Sequence, residues 1–176
     1  MLKKCLKLCL LLLLLGLVPA VAQAQEPRRF GARLISYDEV PALSNTGEGT
    51  INLLIDSSDT SFDFELTYSG ISGTGATQSH IHIGQKGVNG GVTVFFCTNL
   101  NNGPAGTQAC PANGSVTGTI TAADVIGPAG QGVGAGEFAE VLKAIRGGVV
   151  YANVHSVTFP GGEIRGQLAP GAKQVR

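Results

Sequence analysis

The chain has 176 residues, with 12 Lys+Arg balanced by 12 Asp+Glu and only three histidines, four cysteines and 26 glycines. Nothing in that balance offers nucleic acid a footing, because phosphate binding needs clustered cations and none are clustered here. The length suits one domain with a single core.

In chain order, Lys3, Lys4 and Lys7 precede and enter an apolar run from Leu8 to Val18 that only Gly16 interrupts. Ala22-Gln23-Ala24 then supplies the small residues of a secretory cleavage site. Residues 1–24 therefore read as a cleaved signal peptide, and the expected location is secreted or periplasmic. The run is too short for a membrane span and no second one follows, so no span is expected after cleavage. Cutting after Ala24 leaves 152 residues with nine Lys+Arg against twelve Asp+Glu, a formal net charge of −3. Residues 25–29 form a linker, 30–169 the domain and 170–176 a tail, with Arg28-Arg29 and Lys173 to Arg176 read as solvated ends.

The domain reads as strands. Candidates are Phe30 to Ser36, then Ile51, Leu53 and Ile55 alternating with polar neighbours, and Phe62, Phe64, Leu66 and Tyr68 alternating with Asp63, Glu65 and Thr67. Ser79 to Ile83, Val92 to Cys97, Val116 to Ile120, Val149 to Val157 and Glu163 to Leu168 complete about eight short runs. Gly, Asn, Pro and Ser clusters separate them. This is the pattern of an all-β fold, an antiparallel β-sandwich or a Greek-key barrel. After signal cleavage only Cys97 and Cys110 remain, and an oxidising compartment favours a disulfide between them over two thiolate metal ligands. The bridge would close the Asn- and Gly-rich loop Thr98 to Ala109, a stabilisation of roughly 3 kcal/mol in the chain-entropy model. Thr121 is a candidate N-cap for a short turn through Asp124. One helix stands out: Phe138, Val141, Leu142 and Ile145 fall at i, i+3, i+4 and i+7, the apolar stripe of a short lid packed on the sheet, with Gly147 as its stop.

Every histidine lies in His80-Ile81-His82 or in Tyr151-Ala152-Asn153-Val154-His155. Strand alternation puts Val150, Ala152 and Val154 on one face and Tyr151, Asn153 and His155 on the other. If Phe159 to Gly162 reverses the chain into a hairpin, the dry faces of both strands must coincide. That places Asn153, His155, Glu163, Arg165 and Gln167 on one polar face. His80 and His82 likewise leave the side opposite Ile81 and Ile83, about 6.6 Å apart along the strand.

Several segments together resemble the CHRD domain, a family first described in chordin and also found alone in exported microbial proteins. They are Tyr37-Asp38-Glu39-Val40-Pro41, His80 to Gly84, Asn89-Gly90-Gly91-Val92, Thr121-Ala122-Ala123-Asp124, and Gly148 to Ser156 running on to Pro160-Gly161-Gly162-Glu163-Ile164-Arg165-Gly166-Gln167-Leu168. The resemblance covers about Phe30 to Ala169 and implies an extracellular β-sandwich or barrel without an assigned catalytic activity. Ser156 and the insertion Thr98 to Ala109 depart from the family pattern.

Two readings of the polar residues follow. In one, His80, His82 and His155 join Asn153, Glu163, Arg165, Gln167 and Glu39 in a hydrogen-bonded network of a binding or structural module whose partner is an extracellular protein or small ligand. In the other, the three imidazoles hold one copper or zinc ion, with Glu163, Glu39, Asp38 or water completing the shell. Three histidines cannot supply a binuclear copper–zinc site. No G-x-S-x-G supports a serine hydrolase, and Asp63 with Glu65 suits a solvated strand better than a glycosidase pair. The expectation is therefore a non-enzymatic exported module.

Overall fold

The structure is a computed structural model that describes residue 26 and residues 28–171; the leader 1–24 and the tail beyond 171 lie outside the described residues. Period-two patterning produces β1 (Arg29–Ile35), β2 (Glu48–Ile55), β3 (Ser61–Ser69) and β6 (Gly114–Thr121). Their pairing opposes apolar to apolar: Ile51 faces Leu66, Leu53 faces Phe64, and Phe62 faces Ile120. One face of this half of the sheet is thus dry throughout, and its residues are buried.

The other half is β4 (Ala76–Ile83), β5 (Gly91–Thr98), β7 (Val150–Ser156) and β8 (Ile164–Gln167), and here most residues on both faces are buried. A two-residue β9 (Ala169–Pro170) pairs with β1, so sheet pairing reaches into the segment read as tail. All pairings are antiparallel in the order β5-β4-β7-β8-β1-β2-β3-β6, and the sheet curls into a nearly closed barrel. Of the two expected all-β architectures the chain adopts the barrel.

Closure between the end strands is made by side chains and loop rather than by a ladder. Phe64 and Phe96 meet with ring centroids 4.4 Å apart. Ile126 N donates to Thr93 O at 2.9 Å. Gln108 spans the gap: its carbonyl accepts from Thr98 N at 2.9 Å and its Nε2 donates to Thr117 O at 2.9 Å. The Cys97–Cys110 disulfide forms, with Cα atoms 5.0 Å apart, and holds this loop at the seam. Asn99 stitches the same loop, donating to Ala76 O and Cys110 O at 3.0 Å each.

The helix α1 (Phe138–Arg146) buries the four expected residues, Phe138, Val141, Leu142 and Ile145, and Phe138 stacks on Phe62 at 5.8 Å. Each such side chain contributes about 1.5–3 kcal/mol on burial, which is why so short a helix holds. Gly147 caps it in right-handed conformation and Gly148, at φ +69°, takes the left-handed position one residue later than expected. Thr121 and Asp124 form a reciprocal capping box on a 3-10 turn. No described helix is long and apolar enough to cross a membrane.

Candidate metal centre

The hairpin β7–β8 forms with Asn153 opposite Arg165 and Val154 opposite Ile164. β7 also pairs with β4, which sets His80 opposite Asn153 and His82 opposite Tyr151. Since residues two apart share a face, His80, His82, Tyr151, Asn153, His155 and Arg165 leave the barrel on the same side. The three imidazoles converge: one nitrogen from each lies within 4.8 Å of the other two. The His80 ring centroid is 4.6 Å from that of His82 and 4.5 Å from that of His155.

This face is polar in composition but not wet. His80, His82 and His155 are 3 %, 8 % and 5 % exposed, so bulk solvent barely reaches their rings. Three connecting loops cover them, after Ile35, after Ile83 and after Ser156. Asn89 Nδ2 donates to Val40 O at 3.2 Å, joining the first two loops, and Lys86 pairs with Asp38 at 3.8 Å across the same junction. Phe95 of β5 closes the side, edge-on to His80 at 5.0 Å.

Two backbone carbonyls decide the protonation of the rings. His82 Nδ1 lies 2.8 Å from Gly90 O and His155 Nδ1 lies 2.9 Å from Pro160 O. A carbonyl only accepts, so each Nδ1 carries the proton and each Nε2 is left with a lone pair. His82 Nε2 and His80 Nδ1 are buried without a partner. His155 Nε2 lies 3.0 Å from the Asn153 carboxamide. Because the neutral ring accepts there, the amide must turn its NH2 toward it.

Burial is the main cause of all three histidine shifts. It pushes His80 down to about 2 and His82 down to about 4, and lowers His155 as well; His155 adds repulsion to both neighbours. All three are therefore neutral at pH 7, the state in which imidazole binds metal. Glu39 moves the other way, up to about 7, because burial outweighs the attraction of Arg165. Its Oε1 has no partner. The Glu39 carboxyl and the Asn153 amide crowd the Cα of Gly162: a Cβ there would sit 2.6 Å and 2.8 Å from the Glu39 oxygens and 2.9 Å from the end of the Asn153 amide that points away from His155.

Not every residue of the expected polar face joins the histidines. Glu163 is fully buried but turns away to two other loops, its Oε1 accepting from Ser72 N at 2.9 Å and Ser72 Oγ at 2.7 Å after β3, and from Asn45 Nδ2 at 3.2 Å before β2. Gln167 donates to Gly84 O and Gly148 O at 3.0 Å each. Arg165 lies over the Tyr151 ring, 3.3 Å from its centroid, and donates to loop carbonyls. Cys97 and Cys110 are occupied by their bridge. Residue patterning left out Tyr151 as a wall of the site, yet it stacks on His82 at 4.7 Å with planes 3° apart. It also left out Gly90 and Pro160, whose roles lie in the backbone. The signal for Gly90 was its place in Asn89-Gly90-Gly91: a Cβ there would collide with Ile83 O, so only glycine brings this carbonyl against His82.

No curated protein and no solved structure matches the chain. The family model described as the CHRD domain matches residues 30–168, a span that takes in β1 to β8, the disulfide, α1 and all three histidines. With nearly the whole described domain inside that match, the chain belongs to the CHRD-domain family.

Proposed function

We propose that this protein is an exported CHRD module that holds a single copper or zinc ion between His80, His82 and His155, and that it works by binding rather than by catalysis. The observation that carries the reading is the pair of carbonyl locks on His82 and His155. A metal-bound histidine almost always donates its second ring nitrogen in this way, because the bond fixes tautomer and ring orientation. A lone pair left buried and unpartnered, as on His82 Nε2, costs free energy unless something binds it. Around an ion with bonds of about 2.0–2.1 Å the three donors sit about 3.4 Å apart, so a ring movement of the order of 1 Å closes the present triangle. Imidazole nitrogens suit copper and zinc, and among the described residues the paired Cys97 and Cys110 leave no thiolate to favour a softer choice.

An ion enclosed by loops, with ligands under a tenth exposed, suits storage, transfer or structural use better than turnover of a bulky substrate. The basic, apolar leader read in residues 1–24 supports a secreted or periplasmic setting. Elemental analysis of protein purified from its natural compartment tests the reading, repeated for His82→Ala and His155→Ala. About one equivalent of copper or zinc in the wild type, lost in both variants, is the expected result. A folded wild type that carries no metal and takes up neither ion on titration favours instead the hydrogen-bonded network with Asn153 and Arg165.

A further inference from the structure

Arg165 is 2 % exposed, and among the described residues its guanidinium makes no ion pair. Its partners are all in the loop after β4: Nη1 donates to Asn89 Oδ1 at 2.9 Å, and Nη2 to Val88 O at 2.5 Å and to Gln85 O at 3.5 Å. The loop thus provides the acceptors that keep a buried cation solvated, and it cannot lift away without stripping them. The next residue, Gly90, uses its carbonyl on His82 Nδ1 and its N–H on Tyr151 Oη at 3.1 Å. Tyr151 itself is sandwiched between His82 and the guanidinium. Four groups, Arg165, the segment Val88-Asn89-Gly90, Tyr151 and His82, therefore form one closed ring of contacts around a single carbonyl.

We propose that Arg165 is a positioning residue of the histidine centre: by anchoring Gln85, Val88 and Asn89 to β8 it holds Gly90 O against His82 and so fixes which nitrogen of His82 is free. The role in metal binding rests on the reading above, but the effect on the tautomer does not. Without the anchor Gly90 O is released, the Nδ1–H tautomer loses its bond, and the ring divides between two protonation patterns of which only one presents Nε2. His155 has its own lock at Pro160 and is unaffected.

The test is long-range proton–nitrogen NMR of the full chain with 15N-labelled histidine, in wild type, Arg165→Met, Arg165→Lys and Asn89→Ala. The wild type is expected to show His82 and His155 each as a single Nδ1–H tautomer. In Arg165→Met, His82 becomes a mixture, His155 does not change, and zinc affinity measured against a chelator falls 10- to 100-fold. Arg165→Lys does not restore the wild-type pattern, since a point charge cannot reproduce the fork and the stack. Asn89 is exposed, so Asn89→Ala keeps the fold and gives a smaller shift of the same kind at His82; it decides the matter if the arginine variants do not fold. An unchanged His82 in the folded variants, or equal mixing at His155, overturns the proposal. A wild type that binds no zinc but shows the tautomer response would defeat the metal reading alone.

Discussion

Glu39 and the histidines pull the stability of the metal-free protein in opposite directions with pH. A histidine whose folded pKa is depressed loses stabilisation as pH falls through its unfolded value of about 6.5, because the unfolded chain then takes protons that the native site refuses. For His82 the loss runs down to about 4, and for His80 to about 2. Glu39, raised from 4.5 to about 7, holds a proton in the native state and loses stabilisation as pH rises through that interval. Three groups outweigh one between pH 4.5 and 6.5, so stability should fall on acidification. Denaturant unfolding at pH 8 and pH 5 measures this. Glu39→Gln removes the opposing term and should raise stability at pH 8 by about 1–3 kcal/mol over wild type, with little difference at pH 4. Gly162 is a small residue that the site holds tightly. At φ +127°, with Glu39 and Asn153 against its Cα, Gly162→Ala should cost about 2–4 kcal/mol in equilibrium unfolding, and a change under 1 kcal/mol would contradict the crowding.

At the scale of elements, α1 shows how far periodicity carries. Its four apolar residues were legible as a stripe and all four are buried, because a nine-residue helix has no stability apart from the face it packs. Leu142→Ala should therefore cost about 2–5 kcal/mol of unfolding free energy, whereas Lys143→Ala, on the exposed side, should stay within about 0.5. The strands were equally legible where one face is dry, as in β2 and β3. They were harder to interpret in β4 and β7. There the alternation of Ile81, Ala152 and Val154 with His80, Asn153 and His155 identified the core side, but not that the second face is also covered. Coverage comes from loops remote in sequence, and loop paths leave no periodic trace.

For the molecule as a whole, the seam between β5 and β6, the two ends of the strand order, has no ladder at all, whereas even β8 and β1 share the pair Ile35–Arg165. The disulfide-bounded loop fills it, so replacing Cys97 and Cys110 together by alanine should lower stability by roughly 3 kcal/mol through the unfolded chain. Native-state hydrogen exchange should then show β5 and β6 amides opening before those of β7, which is paired on both sides. Uniform loss of protection across all strands would instead mean that the seam and the rest of the barrel open as one unit. If the histidine centre holds an ion as proposed, metal at a hundredfold excess over the dissociation constant should add about 2.7 kcal/mol and raise the melting temperature.

Local chemistry was written in the chain: the alternation that makes the strands, the stripe that makes α1, the Cys97 and Cys110 pair, and the confinement of all histidines to two segments. These depend on neighbours within a few residues, where backbone geometry is nearly invariant. Whether the three imidazoles meet depended on β4 pairing with β7, and which nitrogens they present depended on the carbonyls of Gly90 and Pro160. Glu163 shares a strand face with the histidines on paper, yet its carboxylate belongs to Ser72 and Asn45. Such outcomes come from chain crossings and from which buried polar groups the completed fold supplies with partners, and which, like His82 Nε2 and His80 Nδ1, it leaves without one.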